Sequence, residues 1–288
     1  MGLNQLSPTF GIVVPTSNAA SHLEHLLISI TNQTCTEYTV VIVDQTSQDS
    51  TAALAQRYGC SLITVPTTKR YVPPSRSRNI GAASVHCDIL LHLDADMEMA
   101  SPDFLERLAG LFDADHQAAV VEEVDSAEGF WGKCKALERS CYPGSGLEAA
   151  RAVTAELFSA VGGYSEEITT GEDLFITRQY EHLTKVRRAN GLHIKHNLGR
   201  PSLRSMLRKK ISYGTAAHGY LRKAREVGAP SAASIIWASV MAYVRNWRLI
   251  VSDPFHYLAI APLRVAELFA TLIGMFVRYA DPRRLICF

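Results

Sequence analysis

The sequence predicts an α/β protein: a mixed, mostly parallel sheet flanked by helices, with a helical extension at its C-terminal end. Three observations predict it. Strand-like and helix-like segments alternate through the first half of the chain, the pattern of a helix-covered sheet. The strand candidates are short apolar or β-branched runs that end in polar residues. Near residue 200 the pattern changes to a basic amphipathic helix and then to an apolar, aromatic segment. A chain of 288 residues holds one large domain, or one domain with an extension. The expected division is an α/β domain over residues 1–200 and a helical region over 201–288.

The elements follow in order. Phe10-Gly-Ile-Val-Val14 reads as a short buried strand. Ser21-His-Leu-Glu24 has the form of a capping box, followed by Leu23, Leu26, Leu27 and Ile30 at helical spacing. Val40-Val-Ile-Val43 is a second strand, ending at Asp44. Asp49 is placed to cap a helix over residues 52–58 that Gly59 stops. Residues 61–65 form a third strand, 76–86 a helix and 89–93 a fourth strand. Ser101-Pro102 resembles an N-cap followed by proline at the first helical position, ahead of the stripe Phe104, Leu105, Leu108, Leu111, Phe112. Residues 118–121 are a further strand candidate. After the glycines of Gly171-Glu-Asp-Leu174, the run from Asp173 to Arg178 reads as helical, and Pro201-Ser202 opens another helix.

Composition excludes some classes. With 47% hydrophobic and 20% charged residues the chain is globular rather than disordered. The net charge of +1 names no partner, but its distribution is uneven. Residues 185–225 contain twelve Lys or Arg and no acid. Such a block calls for a diphosphate, an anionic membrane or nucleic acid as counter-charge, or it is simply a solvated basic face. None of the six cysteines forms C-x-x-C, which fits free thiols in a reducing compartment. The first residues carry no basic stretch followed by an apolar run, so no signal peptide is expected. Between residues 234 and 277, Arg245, Arg248, Asp253, Arg264 and Glu267 interrupt every apolar run, and Pro254 and Pro262 divide the segment. A membrane span needs about 20 apolar residues. The expectation is therefore interfacial helices lying on a bilayer, with a buried helical cap or a dimer face as alternatives.

The chemistry concentrates where strands end. In Asp88-Ile-Leu-Leu-His-Leu-Asp-Ala-Asp96 an apolar strand delivers Asp94 and Asp96 at its C-terminal end. Residues i and i+2 of an extended chain point the same way. Two acids so placed suit a hard divalent cation with oxygen ligands; the alternative is a helix-capping acid beside a surface acid. Pro15, Thr16 and Asn18 close the first strand, and Asp44 closes the second, offering groups that could read a nucleotide base or simply form turns. Arg78, in Arg76-Ser-Arg-Asn-Ile-Gly81, could meet a phosphate in bidentate fashion or be a surface arginine. Glu172 and Asp173 could take a proton from an attacking hydroxyl or cap a helix N-terminus.

Taken in order, Pro-Thr-x-Asn, Val-Asp-x-x-Ser-x-Asp-x-Thr, Ser-Arg-Asn-x-Gly, Leu-Asp-Ala-Asp, Gly-Gly-Tyr and Gly-Glu-Asp-Leu resemble the motifs of a family 2 glycosyltransferase with the GT-A fold, across about residues 8–215. The resemblance implies inverting transfer from a nucleotide-diphosphate sugar, expected to be a UDP-sugar, with Mn2+ or Mg2+ as cofactor. It gives Asp44 the base contact, Arg78 the base and diphosphate, and Asp94 the ribose or metal; Ala95 lies in the same donor-binding motif. Asp96 becomes the metal ligand, with His196 of Ile194-Lys-His-Asn197 assisting. Asp173 becomes the catalytic base, with Glu172 beside it near the acceptor. Ser17 and Gln45 depart from the family, which often has Tyr and a second acid at those positions. The apolar C-terminal segment suggests a lipid-linked or membrane glycan acceptor and a peripheral position on the cytoplasmic face of a membrane. No nucleic-acid partner is expected. The rivals are a nucleotidyltransferase on a similar fold, which would not need Asp173, and a non-catalytic membrane-bound scaffold or anion binder.

Overall fold

A computed structural model describes residues 8–66, 73–224, 228 and 231–280. Arg225, the end of the basic block, and Cys287 lie outside them. The chain divides into two compact units that each draw on several stretches of sequence. Unit 1 comprises Met1–Glu122, Ala149–Ser165 and Gln179–Ile194; unit 2 comprises Glu123–Glu148, Glu166–Arg178 and Lys195–Phe288.

Unit 1 is built on β1 (Phe10–Thr16), β2 (Tyr38–Asp44), β3 (Ser61–Thr64) and β4 (Ile89–His92), all paired in parallel in the order β3-β2-β1-β4. β1, β2 and β4 are buried on both faces, so alternate residues serve opposite layers, while β3 at the edge is half-buried to exposed. Ile12, Val14, Val40 and Ile42 pack with Leu23, Leu26, Leu27 and Ile30 of α1 (Ala20–Thr31). Val41 and Val43 pack on the other side with Ile80 of α3 (Pro74–Ala83). Gly81 allows α3 to lie close to the sheet: a Cβ there would sit 2.4 Å from a Val13 methyl carbon.

Beyond β4 the sheet continues with β6 (Ala118–Ser126), whose first residues 118–121 were expected as a strand, and with β5 (Met97–Met99), β7 (Ala150–Thr154) and β8 (Val186–Asn197), which were not. The full order is β3-β2-β1-β4-β7-β6-β8-β5. β7 is antiparallel to both β4 and β6. The sheet is thus mixed, with a parallel half and an antiparallel addition. β8 escaped prediction because Arg, Asn, His and Lys alternate with its buried Ala189, Leu192 and Ile194.

Local caps differ from expectation. α1 begins one residue before Ser21, so the capping box is not formed. Its first N–H groups are instead accepted across the fold, Ala19 N by Thr51 Oγ1 at 2.9 Å and Ala20 N by Asp49 Oδ2 at 3.0 Å. Asp49 also accepts from Thr51 N at the start of α2 (Thr51–Arg57), and Gly59 stops the following turn at φ +70°. Ser101-Pro102 does not cap α4 (Phe104–Ala109). The Ser101 and Pro102 carbonyls accept from Gln33 and Thr34, and Asp103 takes the cap position. The five described cysteines are free thiols, and burial pushes Cys60, Cys87 and Cys141 up to about 11.

Unit 2 holds α5 (Gly129–Arg139), the start of α7 (Glu172–Leu183), α8 (Leu203–Ala224), α9 (Ala232–Arg245), α10 (Leu249–Ser252) and α11 (Pro254–Ala280). Of the two prolines, Pro254 does mark a division, opening α11 after the break at Asp253, but Pro262 does not. α11 runs unbroken through Pro262 and is long and apolar enough, over Pro254–Val277, to cross a membrane by length and composition alone. Of the interrupting charges, Arg245 and Arg248 are exposed, whereas Arg264 and Glu267 of α11 turn inward. Glu267 is 3% exposed and pairs with Arg264 at 2.6 Å, Lys135 of α5 at 3.3 Å and Lys210 of α8 at 3.8 Å. Glu138, fully buried on α5, pairs with Lys135 at 2.8 Å and Arg264 at 3.4 Å and accepts from Tyr142. Small residues close the remaining gap, since a Cβ on Gly214 would fall 2.0 Å from the Thr271 carbonyl oxygen and one on Gly274 2.0 Å from that of Ile211.

Burial alone would raise the Glu138 carboxyl, but the charges of Lys135 and Arg264 prevail and hold it at about 2, below its ordinary 4.5. A depressed carboxylate stabilises the fold fully above its unfolded value and loses that contribution as pH falls through the folded one. Urea titrations should therefore show stability declining from about pH 4.5 toward about 2, by up to about 1.4 kcal/mol per pH unit. Glu138→Gln should be less stable at neutral pH and show a flatter acid limb.

Candidate active site

In unit 1 the ends of β1 and β2 are stitched together. Asp44 is 2% exposed, and its carboxylate accepts from Thr16 Oγ1 at 2.9 Å, from Ser47 N at 2.9 Å and from Ser47 Oγ. The two loops interlock: Asn18 N donates to Ser47 Oγ at 2.7 Å, and Gln48 N donates to Asn18 Oδ1 at 2.8 Å. Both Asn18 (φ +50°) and Thr46 (φ +56°) are left-handed, a conformation that costs energy for non-glycine residues and recurs where a loop must be held open for a ligand. Gln45, where the family often has a second acid, donates to Ser77 Oγ at 3.2 Å and so ties β2 to α3. Pro15 remains within β1, paired with Val43.

The end of β4 carries the largest concentration of buried charge in unit 1. The strand stops at His92, and Met97 N donates to the Asp94 carbonyl at 3.1 Å. Residues 94–97 therefore form a β-turn, with Asp at a position that turns favour and Ala95 and Asp96 at its centre. The turn, rather than the pleat of an extended strand, directs the two carboxylates. Asp94 accepts from Arg78 Nη2 at 2.8 Å through Oδ1 and from Arg151 Nη2 at 3.3 Å through Oδ2. Arg78 and Arg151 are 2% and 5% exposed, whereas the Asp94 side chain is about one-third exposed. The Tyr164 ring lies 5.2 Å from the Arg78 guanidinium carbon. Asn79 fixes that tyrosine's backbone, donating to its carbonyl and accepting from its N–H, both at 2.8 Å. The Gly162-Gly163 turn thus serves to lock Tyr164 against α3. His92 is fully buried between the rings of Phe158 and Tyr164, each 5.2 Å away, and burial followed by the two arginine charges pushes it down to about 3.

Sequence reasoning found Arg78, Asp94 and Asp96 but passed over Arg151, Asn79 and His92. The signal for Arg151 was a guanidinium inside the apolar run Ala150-Arg-Ala-Val153, since an arginine in a buried strand needs an anion.

Unit 2 presents the other predicted residues. Glu172 and Asp173 are the first residues of α7, where the helix N-terminus favours carboxylates. Gly171 enters the helix at φ +74° and lies against Tyr220 of α8, whose ring a Cβ there would meet at 3.2 Å. Thr177 Oγ1 donates to the Asp173 carbonyl at 2.6 Å. His196 Nδ1 lies 3.1 Å from Asp125 Oδ1 and 3.6 Å from Glu123 Oε2. Ligand atoms of Glu123, Asp125 and His196 fall within 4.8 Å of one another, a donor set suited to a divalent cation. Arg139 also spans both carboxylates, at 2.7 Å to Glu123 and 3.0 Å to Asp125, so a guanidinium already supplies part of that counter-charge. In unit 1, Asp94 is held by arginine on both oxygens. Asp96 lies half-buried in the adjoining turn.

A profile of Glycosyl transferase family 2 matches residues 11–208. The chain belongs to glycosyl transferase family 2. Among curated family relatives, the PGL/p-HBAD biosynthesis glycosyltransferase of Mycobacterium bovis (strain BCG / Pasteur 1173P2) is 30% identical over 167 residues, covering 55% of this chain and 64% of the relative. The chain thus matches a little under two thirds of that relative's length. Its fold resembles the mannosyltransferase PcManGT of Pyrobaculum calidifontis, solved in complex with GDP-Man and Mn2+, at TM-score 0.62 and 17% identity over 97% of this chain and 89% of that one. It also resembles S. aureus TarS 1-349 in complex with UDP-GlcNAc, at TM-score 0.55 and 14% identity over 95% and 92%. The family 2 chain therefore has the GT-A architecture, and its strand-end acids and arginines occupy a mixed sheet of that type.

If Asp94 is the anion of a two-arginine anchor, its loss should cost more than the loss of an exposed carboxylate. Asp94→Asn should lower unfolding free energy by on the order of 2–4 kcal/mol, since it strips two buried cations of their shared carboxylate. Asp115→Asn, which touches only the exposed pair with Lys185, should change it by less than about 1 kcal/mol. Urea denaturation of the two variants checks the difference; equal effects would remove the anchoring role.

Proposed function

We propose that this protein transfers a sugar from a nucleotide-diphosphate sugar to an acceptor hydroxyl or phosphate, with inversion at the anomeric carbon. The observation that carries the reading is the set of polar strand ends in a family 2 chain: Asp44 with Thr16, and Asp94 with Arg78 and Arg151. Pro15, Asn18 and Ala95 belong to the loops that frame those ends. A UDP-sugar is the donor favoured here, in keeping with the UDP-GlcNAc bound by TarS; the GDP-Man bound by PcManGT makes a GDP-sugar the other donor to screen.

Asp44 would accept from the base, and Arg78 would neutralise the diphosphate. Asp173 would take the proton from the acceptor hydroxyl as its oxygen bonds to the anomeric carbon, opposite the breaking bond to the nucleoside diphosphate. Glu172 would help set the acceptor. Mn2+ or Mg2+, held by Asp96 with Asp94 or His196 in support, would supply charge neutralisation for the departing diphosphate. Its pairing with Asp125 suits His196 to this, because a carboxylate on one ring nitrogen fixes the tautomer a ligand needs. The acceptor is proposed to be lipid-linked, with the protein peripheral on the cytoplasmic face of a membrane. Residues 1–200 would then supply the chemistry and 201–288 the membrane contact.

Turnover of UDP-sugars, read as released UDP, tests the reading. Asp173→Asn should lower kcat by about 10²–10⁴-fold with an unchanged melting temperature, and chelator should abolish transfer until Mn2+ is restored. Normal turnover by a folded Asp173→Asn protein would assign the base elsewhere.

A further inference from the structure

The outward side of α11 is apolar from Pro254 to Phe276. Its exposed positions recur every three or four residues from 254 to 276, and none is charged. Phe255 (80% exposed), Leu258, Val265, Phe269, Ile273 and Phe276 (73%) form the stripe. α9 continues the pattern with exposed Trp237, Val240 and Val244, and Trp247 and Val251 follow it. Several polar groups of this region turn the other way. Ser239 and Glu267 are buried, Arg264 is ion-paired inward, and Asn246 donates to the Cys141 carbonyl at 3.2 Å. This arrangement is inside-out for a surface in water, where a helix shows its charged face to solvent.

We infer that this face docks in the plane of an anionic lipid bilayer, and that α11 lies in the interface rather than crossing it. Charge selects the occupant. Arg245 and Arg248 are exposed on either side of Trp247. The acids of residues 231–280 are Asp253, bonded to His256, and Glu267, buried. Aromatics beside arginines suit the headgroup level of an anionic leaflet. A second copy of the chain would bring the same arginines against each other. The mode of binding follows from the opposite side of α11. Glu267 and Arg264 are ion-paired to α5 and α8, and Gly214 and Gly274 bring α8 and α11 into backbone contact. α8 itself exposes Arg204, Arg208 and Lys209. A helix fixed along one side to charged, water-facing helices cannot be surrounded by lipid. The apolar stripe, about 33 Å long at the rise of a helix, would lie flat. The inference rests on the membrane contact proposed above and is independent of sugar transfer.

Flotation of the full chain with phosphatidylcholine vesicles, with and without phosphatidylglycerol, tests it. The protein should float with the anionic vesicles and be released by alkaline carbonate. Trp247→Ser combined with Phe255→Ser and Phe269→Ser should lower the bound fraction at least about tenfold. Thermal stabilisation by UDP and Mn2+ should be unchanged in that variant, which separates loss of docking from loss of the donor site. Failure to float with either vesicle would overturn the docking. Resistance to carbonate extraction would overturn the in-plane mode. A stable dimer that the same serine substitutions dissociate would assign the face to self-association instead.

Discussion

Two nearly buried guanidiniums, Arg78 and Arg151, share one carboxylate that is only partly buried. Burying a cation is costly unless an anion and further contacts compensate it, so this pairing constrains everything around it. Arg78 must come from a helix lying flat on the sheet, which Gly81 permits one turn later. Arg151 must come from a strand beside β4, which is where the antiparallel β7 is added. Asp94 must stand just past the strand end, which the turn at residues 94–97 secures. Asn79 then clamps the Gly-Gly-Tyr turn over the guanidinium. Three short motifs far apart in sequence are thus parts of one electrostatic device.

The helical unit solves a different problem with the same kind of interaction. Its buried ion pairs fix α5, α8 and α11 to one another and leave the apolar side of α11 outward. Replacing such pairs with well-packed apolar residues is often neutral for stability. What the charges add here is orientation: a helix apolar on every side could rotate, whereas Glu267 determines which side faces inward.

The central strands of the parallel half, β1, β2 and β4, were legible because both their faces are buried, so each carries an apolar run such as Val40–Val43. β7 and β8 were not, because Arg151 and the alternating polar residues of β8 disguise strands whose partners lie far away in sequence. The capping box at Ser21 misled because Asp49 and Thr51, reached only through the fold, satisfy the helix start. Pro262 misled because proline was weighed as a helix breaker, while the exposed side of a packed helix tolerates it. Asp44, Arg78, Asp94, Asp96 and Asp173 were legible as a set only through their order. Singly, each had a plain structural reading, and Asp44 and Asp94 do carry structural bonds.

In the proposed reaction the ends of β1, β2 and β4 would receive a nucleoside diphosphate with a divalent cation. Calorimetric titration of the full chain with UDP and with GDP, each with and without Mn2+, addresses it directly. One of the two nucleotides should bind, more tightly with the metal present, and binding should weaken in Arg78→Met. Absence of binding by both nucleotides, with metal supplied and the protein folded, would contradict it.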